Sequence, residues 1–390
     1  MTTVRRTLST GGGAGTGAVA VAGLLVLVLA CLSLLPEAGS AAPGERQAKS
    51  HGKRRNEKKR HRGPTRPRPS YWGAWIGDQM TGAKPPWDMS AVIQFEQLTG
   101  KGLSLLEFAA PFYDCGPSPC EPLRFPTREM EAIRHYGAIP IFSWSSSSIP
   151  TPEVPSQPDF QLADVISGAH DEYIRGFAED ARAWGHAFFL RFNWEMNGDW
   201  FPWGENVNGN LPGEYVAAWR HVRDIFTAVG ATNATWVWCP YADPGGKFGG
   251  LGRFYPGDEY VDWTCMDGYN WASNTANPHP WRSFDTIFEP TYLQIVRHVA
   301  PKKPVLLAEM ASTGSGKAKA AWIRNMFKML AVKYRRIRGM VWFEQVDRGI
   351  DWPLATSPLA SQAFAGGLRG GPFRHNRFAE GIASPIRPPS

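Results

Sequence analysis

FFLRFNWEMNGDWFPW, residues 188 to 203, is the stretch on which the reading of the whole chain turns. It begins apolar, reaches an acid at Glu195, and runs into a segment crowded with aromatic rings. At the period of two that a strand imposes, Phe189, Arg191, Asn193 and Glu195 share one face, and Leu190, Phe192 and Trp194 share the other. A strand with an arginine, an asparagine and a glutamate on one face is not an ordinary core strand. Buried polar groups without partners cost several kcal/mol each, so that face requires partners or a function. Trp200 and Trp203 follow, with Phe201 between them. Sugar rings have apolar faces that lie on indoles, and glycosidic bonds break by carboxyl chemistry. A carboxyl group beside flat rings therefore points toward carbohydrate.

Outward from this strand the chain alternates. Strand-like runs fall at 71–77, 103–112, 139–145, 188–195, 234–240, 265–271, 304–310 and 339–345. Helical stretches lie near 88–98, 127–136, 170–186, 212–228, 284–299 and 317–334, with a last helix over 358–366 and a short segment near 254–262. Eight strands alternating with helices predict a single (β/α)8 TIM barrel over 71–367. Near-continuous apolar strands suit a parallel sheet covered on both faces. An open doubly wound sheet competes, but no Gly-rich phosphate loop follows the first strand. Residues 368–390 read as an irregular tail.

The ends have a different character. Arg5 and Arg6 precede an apolar run from Ala18 to Leu35, and AGSAA at 38–42 offers small residues for cleavage after Ala41. Residues 1–42 are expected to be a signal peptide or a retained N-terminal membrane anchor, the protein being secreted or held on the extracellular face. VLAC at 28–31 is a poor lipoprotein site, because the apolar run continues past Cys31. Residues 43–70 form a basic, Pro-rich linker without apolar periodicity, expected to be disordered. It reads as a spacer or as a tether to an anionic cell-envelope polymer. The first 70 residues hold 13 Lys+Arg against 3 acids, so the overall charge of +7 belongs to this segment. The remainder shows no nucleic-acid footprint.

Of the 5 cysteines, Cys115 and Cys120 bracket the turn GPSP and look like a local disulfide. Cys239 and Cys265 lie near two strand ends, and a bond or two buried thiols both fit. No His, Asp or Cys cluster has metal-ligand spacing, and no cofactor is called for. His170, His186 and His221 fall in or beside helices and read as structural; His279 lies in a loop after the sixth strand.

In such barrels the active site lies at the C-terminal ends of the strands. The fourth strand ends at Glu195 and the seventh at Glu309. Val305, Leu307 and Glu309 share a face at period two, as do Cys265, Asp267 and Tyr269. Two carboxylates facing each other across the mouth at about 5–5.5 Å would make a retaining glycosidase. Glu195 would have to hold a proton, and its aromatic neighbours would desolvate it. Arg191 could form a structural ion pair with Glu195 on its own strand face, but Arg191–Asp267 is the more attractive buried pair. Glu107 and Glu344 are the competing acids.

RFNWEMNGDWFPWG, WVWCP, DWTCMDGYNW, KPVLLAEM and a late MVWF together resemble glycoside hydrolase family 26, the β-mannanase family, within the clan of retaining (β/α)8 hydrolases. The resemblance covers roughly 71 to 350, and its most specific part is R-x-x-x-E-M-N-G-x-W-x-x-W. It implies Glu195 as acid/base, Glu309 as nucleophile, Tyr269 as a hydrogen-bond donor to the nucleophile, and Trp342 as the floor under the sugar. It implies a β-linked polysaccharide, mannan first, as substrate. The family commonly has His where this chain has Trp194. Arg191, Asn193, Trp194, Trp200, Trp203, Trp144 and Trp271 complete the expected sugar-binding set. A glycan-binding barrel without turnover is the other class of reading.

Overall fold

The computed structural model describes residues 68–149, 154–243, 245–247, 249–272, 280–314, 316–373, 379 and 381–390. The expected N-terminal signal or anchor, the expected linker before residue 68 and His279 lie outside the described residues. No helix among the described residues is long and apolar enough to cross a membrane.

Eight parallel strands close on themselves. In chain order they are β1 (Tyr71–Ile76), β2 (Leu105–Asp114), β3 (Ile139–Ile149), β4 (Phe188–Phe192), β5 (Ala234–Trp238), β6 (Trp263–Asn270), β7 (Val305–Ser312) and β8 (Ile337–Glu344). Each pairs with the next, and β1 pairs with both β2 and β8, which closes the (β/α)8 barrel. A two-residue strand at Glu121–Pro122 adds antiparallel to the end of β2, and Val346–Asp347 pairs with Ile350–Asp351 beyond β8.

The main covering helices are α1 (Ser90–Thr99), α2 (Thr127–Tyr136), α3 (Asp171–Trp184), α4 (Glu214–Val229), α5 (Phe284–Gln294), α6 (Lys317–Val332) and α7 (Pro358–Gly370). Their sequences explain them. In α3, Ile174, Phe177, Ala178 and Ala181 recur at helical spacing and are buried; acids occupy the first turn, and Gly185 ends the helix at φ 73°. The expected helix near 254–262 is not formed. A 3-10 turn, Leu251–Phe254, stands between β5 and β6 instead. GGLGRFYPGDE places glycines and a proline where a helix would have to run, and both weaken helix interiors.

Two apolar layers result. Inside the barrel lie Tyr71, Leu105, Ile141, Phe189, Trp263, Leu306 and Val341. Between strands and helices lies a larger layer containing Trp72, Trp144, Trp219, Trp236, Trp322 and Trp342. Each such side chain stabilises the fold by about 1.5–3 kcal/mol through burial. The described residues after Gly370 are in no helix or strand, yet they pack against the barrel. Ile386 is buried inside the floor, its carbonyl accepts from Trp263 Nε1 at 2.7 Å, and its N–H donates to Thr235 Oγ1 at 2.9 Å. Arg338 ties the two ends of the described body together. Its Nε donates to the Pro69 carbonyl at 3.1 Å, and its Nη2 donates to the Pro389 carbonyl.

Two local departures shape the mouth. β4 ends at Phe192, and the period of two ends with it. Asn193 and Glu195 take left-handed backbone angles, φ 42° and 54°. Such angles are sparsely populated for a glutamate and cluster at functional sites. The second departure is in β7. Met266 of β6 pairs with Leu307, but Asp267 pairs with Glu309, so Ala308 is an extra residue in a bulge. Leu306 and Ala308 face the interior while Val305 and Leu307 face the helices. The expected face shared by Val305, Leu307 and Glu309 is therefore wrong for its first two members.

Candidate active site

Arg191 is the centre of the site. It is fully buried on the inner face of β4. Its Nη1 donates to Glu107 Oε1 at 2.7 Å and to Glu309 Oε1 at 2.6 Å, and lies 3.1 Å from Ser143 Oγ. Its Nη2 donates to Asp267 Oδ2, which is the ion pair expected from the sequence. These carboxylates hold its proton even more firmly than usual, against the desolvation that opposes the charge. The Trp194 ring lies over the guanidinium at 4.9 Å.

Four carboxyl groups, Glu107, Glu195, Asp267 and Glu309, thus surround one guanidinium. They cannot all be ionised without a large uncompensated negative charge in a low-dielectric interior. Burial pushes Glu107 up to about 7, with Arg191 opposing. Burial likewise holds Asp267 well above the usual carboxylate range.

Glu195 and Glu309 differ in their surroundings. The Glu195 main chain is pinned, its N–H to the Cys239 carbonyl at 2.7 Å and its carbonyl to the Gly198 N–H at 2.9 Å. Its Oε2 accepts from Trp200 Nε1 at 2.6 Å. Burial, and then the negative charge of Glu309, push its carboxyl up to about 8. Glu309 instead has a donor on each oxygen: Arg191 on Oε1 and the Tyr269 hydroxyl on Oε2. Burial holds the Tyr269 phenol well above its ordinary range, so it stays a donor. A carboxyl that retains a proton beside a carboxylate with cationic and phenolic donors is an arrangement able to supply an acid and a nucleophile.

The remaining expectations divide. Trp200 and Trp271 are half-buried at the mouth; Trp200 meets Tyr241 edge-on at 5.1 Å, and Trp271 Nε1 donates to the Tyr241 hydroxyl at 3.3 Å. Trp194 is half-buried beside Arg191. Four others are corrected. Trp144 is fully buried against Phe177, rings stacked at 4.2 Å, in the helix layer. Trp342 is also fully buried there, against Phe364 and Trp322, because the residue of β8 that joins the interior cluster beside it is Val341. Trp203 is fully buried, stacked on Phe201 at 4.4 Å, and donates to the Trp194 carbonyl. Asn193 is fully buried and uses both side-chain ends on Ser146, joining β3 to β4. None of these four opens onto the cleft.

Glu344 is structural. It accepts from the Leu354 N–H at 2.8 Å and is buried, its carboxyl pushed up to about 7 by that burial. Buried Lys319 donates to the carbonyls of Trp352 and Pro353 at 2.9 and 2.6 Å. Together they fix the segment that carries Trp352, whose ring lies 5.0 Å from both Tyr269 and Trp271. Trp352 and Tyr241 escaped sequence reading. Tyr241 directly follows WVWCP, so the strand-end rule pointed at it; nothing local marks Trp352.

Cys115 is bonded to Cys120, and Cys239 to Cys265. Cys239 and Cys265 converge with Asp267 within 4.8 Å, but their sulfurs are joined and offer no thiolate to an ion.

Residues 179–349 match the model of Glycosyl hydrolase family 26. Endoglucanase H of Acetivibrio thermocellus is 32% identical over 298 residues, which is 75% of this chain and 29% of that protein. Mannan endo-1,4-beta-mannosidase A and B of Caldalkalibacillus mannanilyticus is 31% identical over 123 residues, 30% of this chain and 20% of that one. The chain thus spans less than a third of the length of these relatives. Among solved structures, the catalytic domain of the Bacillus sp. JAMB-750 GH26 endo-beta-1,4-mannanase aligns with TM-score 0.59 at 17% identity, over 77% of this chain and 86% of that one. The modular endo-beta-1,4-mannanase of Cellulomonas fimi aligns with TM-score 0.57 at 18% identity, over 83% and 75%. At such identities the structures speak for the fold.

Proposed function

The chain belongs to glycosyl hydrolase family 26, and on that premise we propose that it is an exported, retaining endo-β-glycan hydrolase. Glu195 is its acid/base and Glu309 its nucleophile. The observation that carries this reading is the opposed environment of the two groups: Glu195 is buried with its carboxyl near 8, while Glu309 is held by Arg191 and Tyr269. In the first step Glu309 attacks the anomeric carbon and the glycosidic bond breaks. Glu195 gives its proton to the leaving oxygen. Forming the ester removes the Glu309 charge, and with it one of the causes that raise Glu195. Glu195 is then suited to take a proton from water, which attacks the same carbon and releases Glu309. Trp200, Tyr241 and Trp271 are the rings against which sugar faces lie.

β-Mannan is the leading substrate. A second reading, a β-glucan, is favoured by one observation: the match to an endoglucanase extends over 298 residues, against 123 for a mannanase. Export rests on the apolar N-terminal run, and attachment to an anionic envelope polymer on the basic linker. Fractionation of cells before and after a salt wash tests both; a cytoplasmic protein would remove them.

Reducing-sugar release from mannan, glucomannan, mixed-linkage glucan and xylan tests the activity, with Glu195→Ala and Glu309→Ala in parallel. Release from one polymer, lost in both variants, is expected. A folded protein that binds these polymers without release would make the barrel a binding module instead.

A further inference from the structure

The six-membered ring of Trp200 lies against the backbone of Gly198. A Cβ on Gly198 would stand 2.4, 2.5 and 2.6 Å from Cη2, Cζ2 and Cζ3 of that ring. No Cβ fits at such distances, so one of the two must give way. The ring is held from other sides. Its Nε1 donates to Glu195 Oε2 at 2.6 Å, and its face-to-edge contact with Tyr241 has centroids 5.1 Å apart at 81°. A ring lifted from Gly198 carries its N–H away from the carboxyl group. The Gly198 backbone itself does not take a left-handed angle, so chain conformation does not explain the glycine.

We propose that Gly198 is a positioning residue for the acid/base: its missing side chain is the space that seats Trp200 against Glu195. The proposal rests on the reading of Glu195 as acid/base. The seated indole N–H fixes the carboxyl group and favours its ionised form. That form appears after the first proton transfer and is the one that takes a proton from water in the second. The other groups facing Glu195 come from separate elements. Glu309 on β7 raises its pKa, while Arg191 on β4 and a hydrogen bond with Asp267 on β6 lower it. Tyr241 after β5 and Tyr269 on β6 are phenols whose own pKa values are pushed up, so both stay neutral beside it. Gly198→Ala leaves all of these in place and disturbs Trp200.

The test uses the full chain and three variants: Gly198→Ala, Trp200→Ala and the double variant. The first readout is the pH profile of kcat on whichever polymer the unaltered protein cleaves. Gly198→Ala is expected to move the alkaline limb up by about one pH unit and to lower kcat about tenfold. In the Trp200→Ala background the same substitution is expected to add less than about twofold, because its target is gone. The second readout needs no activity. The Nε1–H resonance of Trp200, identified by its loss in Trp200→Ala, should titrate with Glu195 in the unaltered protein and cease to do so in Gly198→Ala. An equal loss from Gly198→Ala in both backgrounds overturns the proposal, as does an indole that still titrates in that variant. Glu195→Ala, run alongside, reports on the underlying reading separately: full activity there removes the acid/base assignment whatever Gly198→Ala does.

Discussion

Arg191 donates to Glu309 through the same nitrogen that holds Glu107: Nη1 lies 2.6 Å from one carboxylate and 2.7 Å from the other. The nucleophile candidate is thereby bound to the barrel interior, and its charge is shared with a group that no substrate reaches. Truncating the arginine leaves several carboxyl groups buried without a counter-charge. Arg191→Met is expected to destabilise the protein by about 3–5 kcal/mol at pH 7, measured by urea unfolding. A loss below about 1 kcal/mol would mean that the acids are already neutral.

If Glu195 is the proton donor proposed above, its carboxyl, pushed up to about 8 by burial, would set the alkaline limit of catalysis. The kcat profile should fall on the alkaline side with a midpoint near that value. Activity rising steadily through pH 9 would assign the proton donor to another group.

Stability should depend on pH in the direction opposite to that of a protein held by salt-bridged acids. Glu107, Glu195 and Glu344 stand at about 7, about 8 and about 7 in the fold, against 4.5 for a free glutamate. The folded chain therefore binds more protons than the unfolded chain between these values. The stability linked to those protons is fully present below about pH 4.5 and is lost as pH rises through 7 to 8. For Glu344 alone the difference is on the order of 3 kcal/mol. Tm should be higher at pH 5 than at pH 8.5, and Glu344→Gln should flatten part of the slope.

Two tryptophans placed in the helix layer offer a contrast with one placed at the mouth. Trp144→Ala and Trp342→Ala should each cost about 3–5 kcal/mol of stability, and leave KM within about twofold where the protein still folds. Trp271→Ala should do the reverse, raising KM while Tm moves little. Equal KM effects in all three would put Trp342 back at the sugar.

The two disulfides should differ in worth. The Cys239–Cys265 bond closes a separation of 26 residues and the Cys115–Cys120 bond one of 5. By loop entropy they stabilise by about 3.5 and about 2 kcal/mol. Paired Ala substitutions, compared by denaturant unfolding, give the order. The Cys239–Cys265 pair should also reduce kcat, since the Cys239 carbonyl accepts the Glu195 N–H.

The barrel was legible because its strands are apolar and its helices periodic. The Arg191–Asp267 pair was legible because two opposite charges stood on the inward faces of β4 and β6, with only β5 between them. What escaped had physical reasons. The bulge at Ala308 shifts the period by one, so counting back from Glu309 misplaces Leu307. The left-handed turn at Asn193 turns that side chain onto Ser146, which strand alternation does not foresee. Trp342 carries no mark distinguishing an indole under a helix from one under a sugar. Trp352 is placed by Lys319, which holds its carbonyl from 33 residues away, and by Glu344, which holds the Leu354 N–H from 10 residues away.

Arg338 brings Pro69 and Pro389 to one place beneath the barrel. The chain at Pro69 and at Pro389 therefore lies on the face opposite the mouth. A resin coupled directly at either of these positions would leave the cleft on the far side of the domain. A long, insoluble polymer could then approach without steric conflict with the point of attachment.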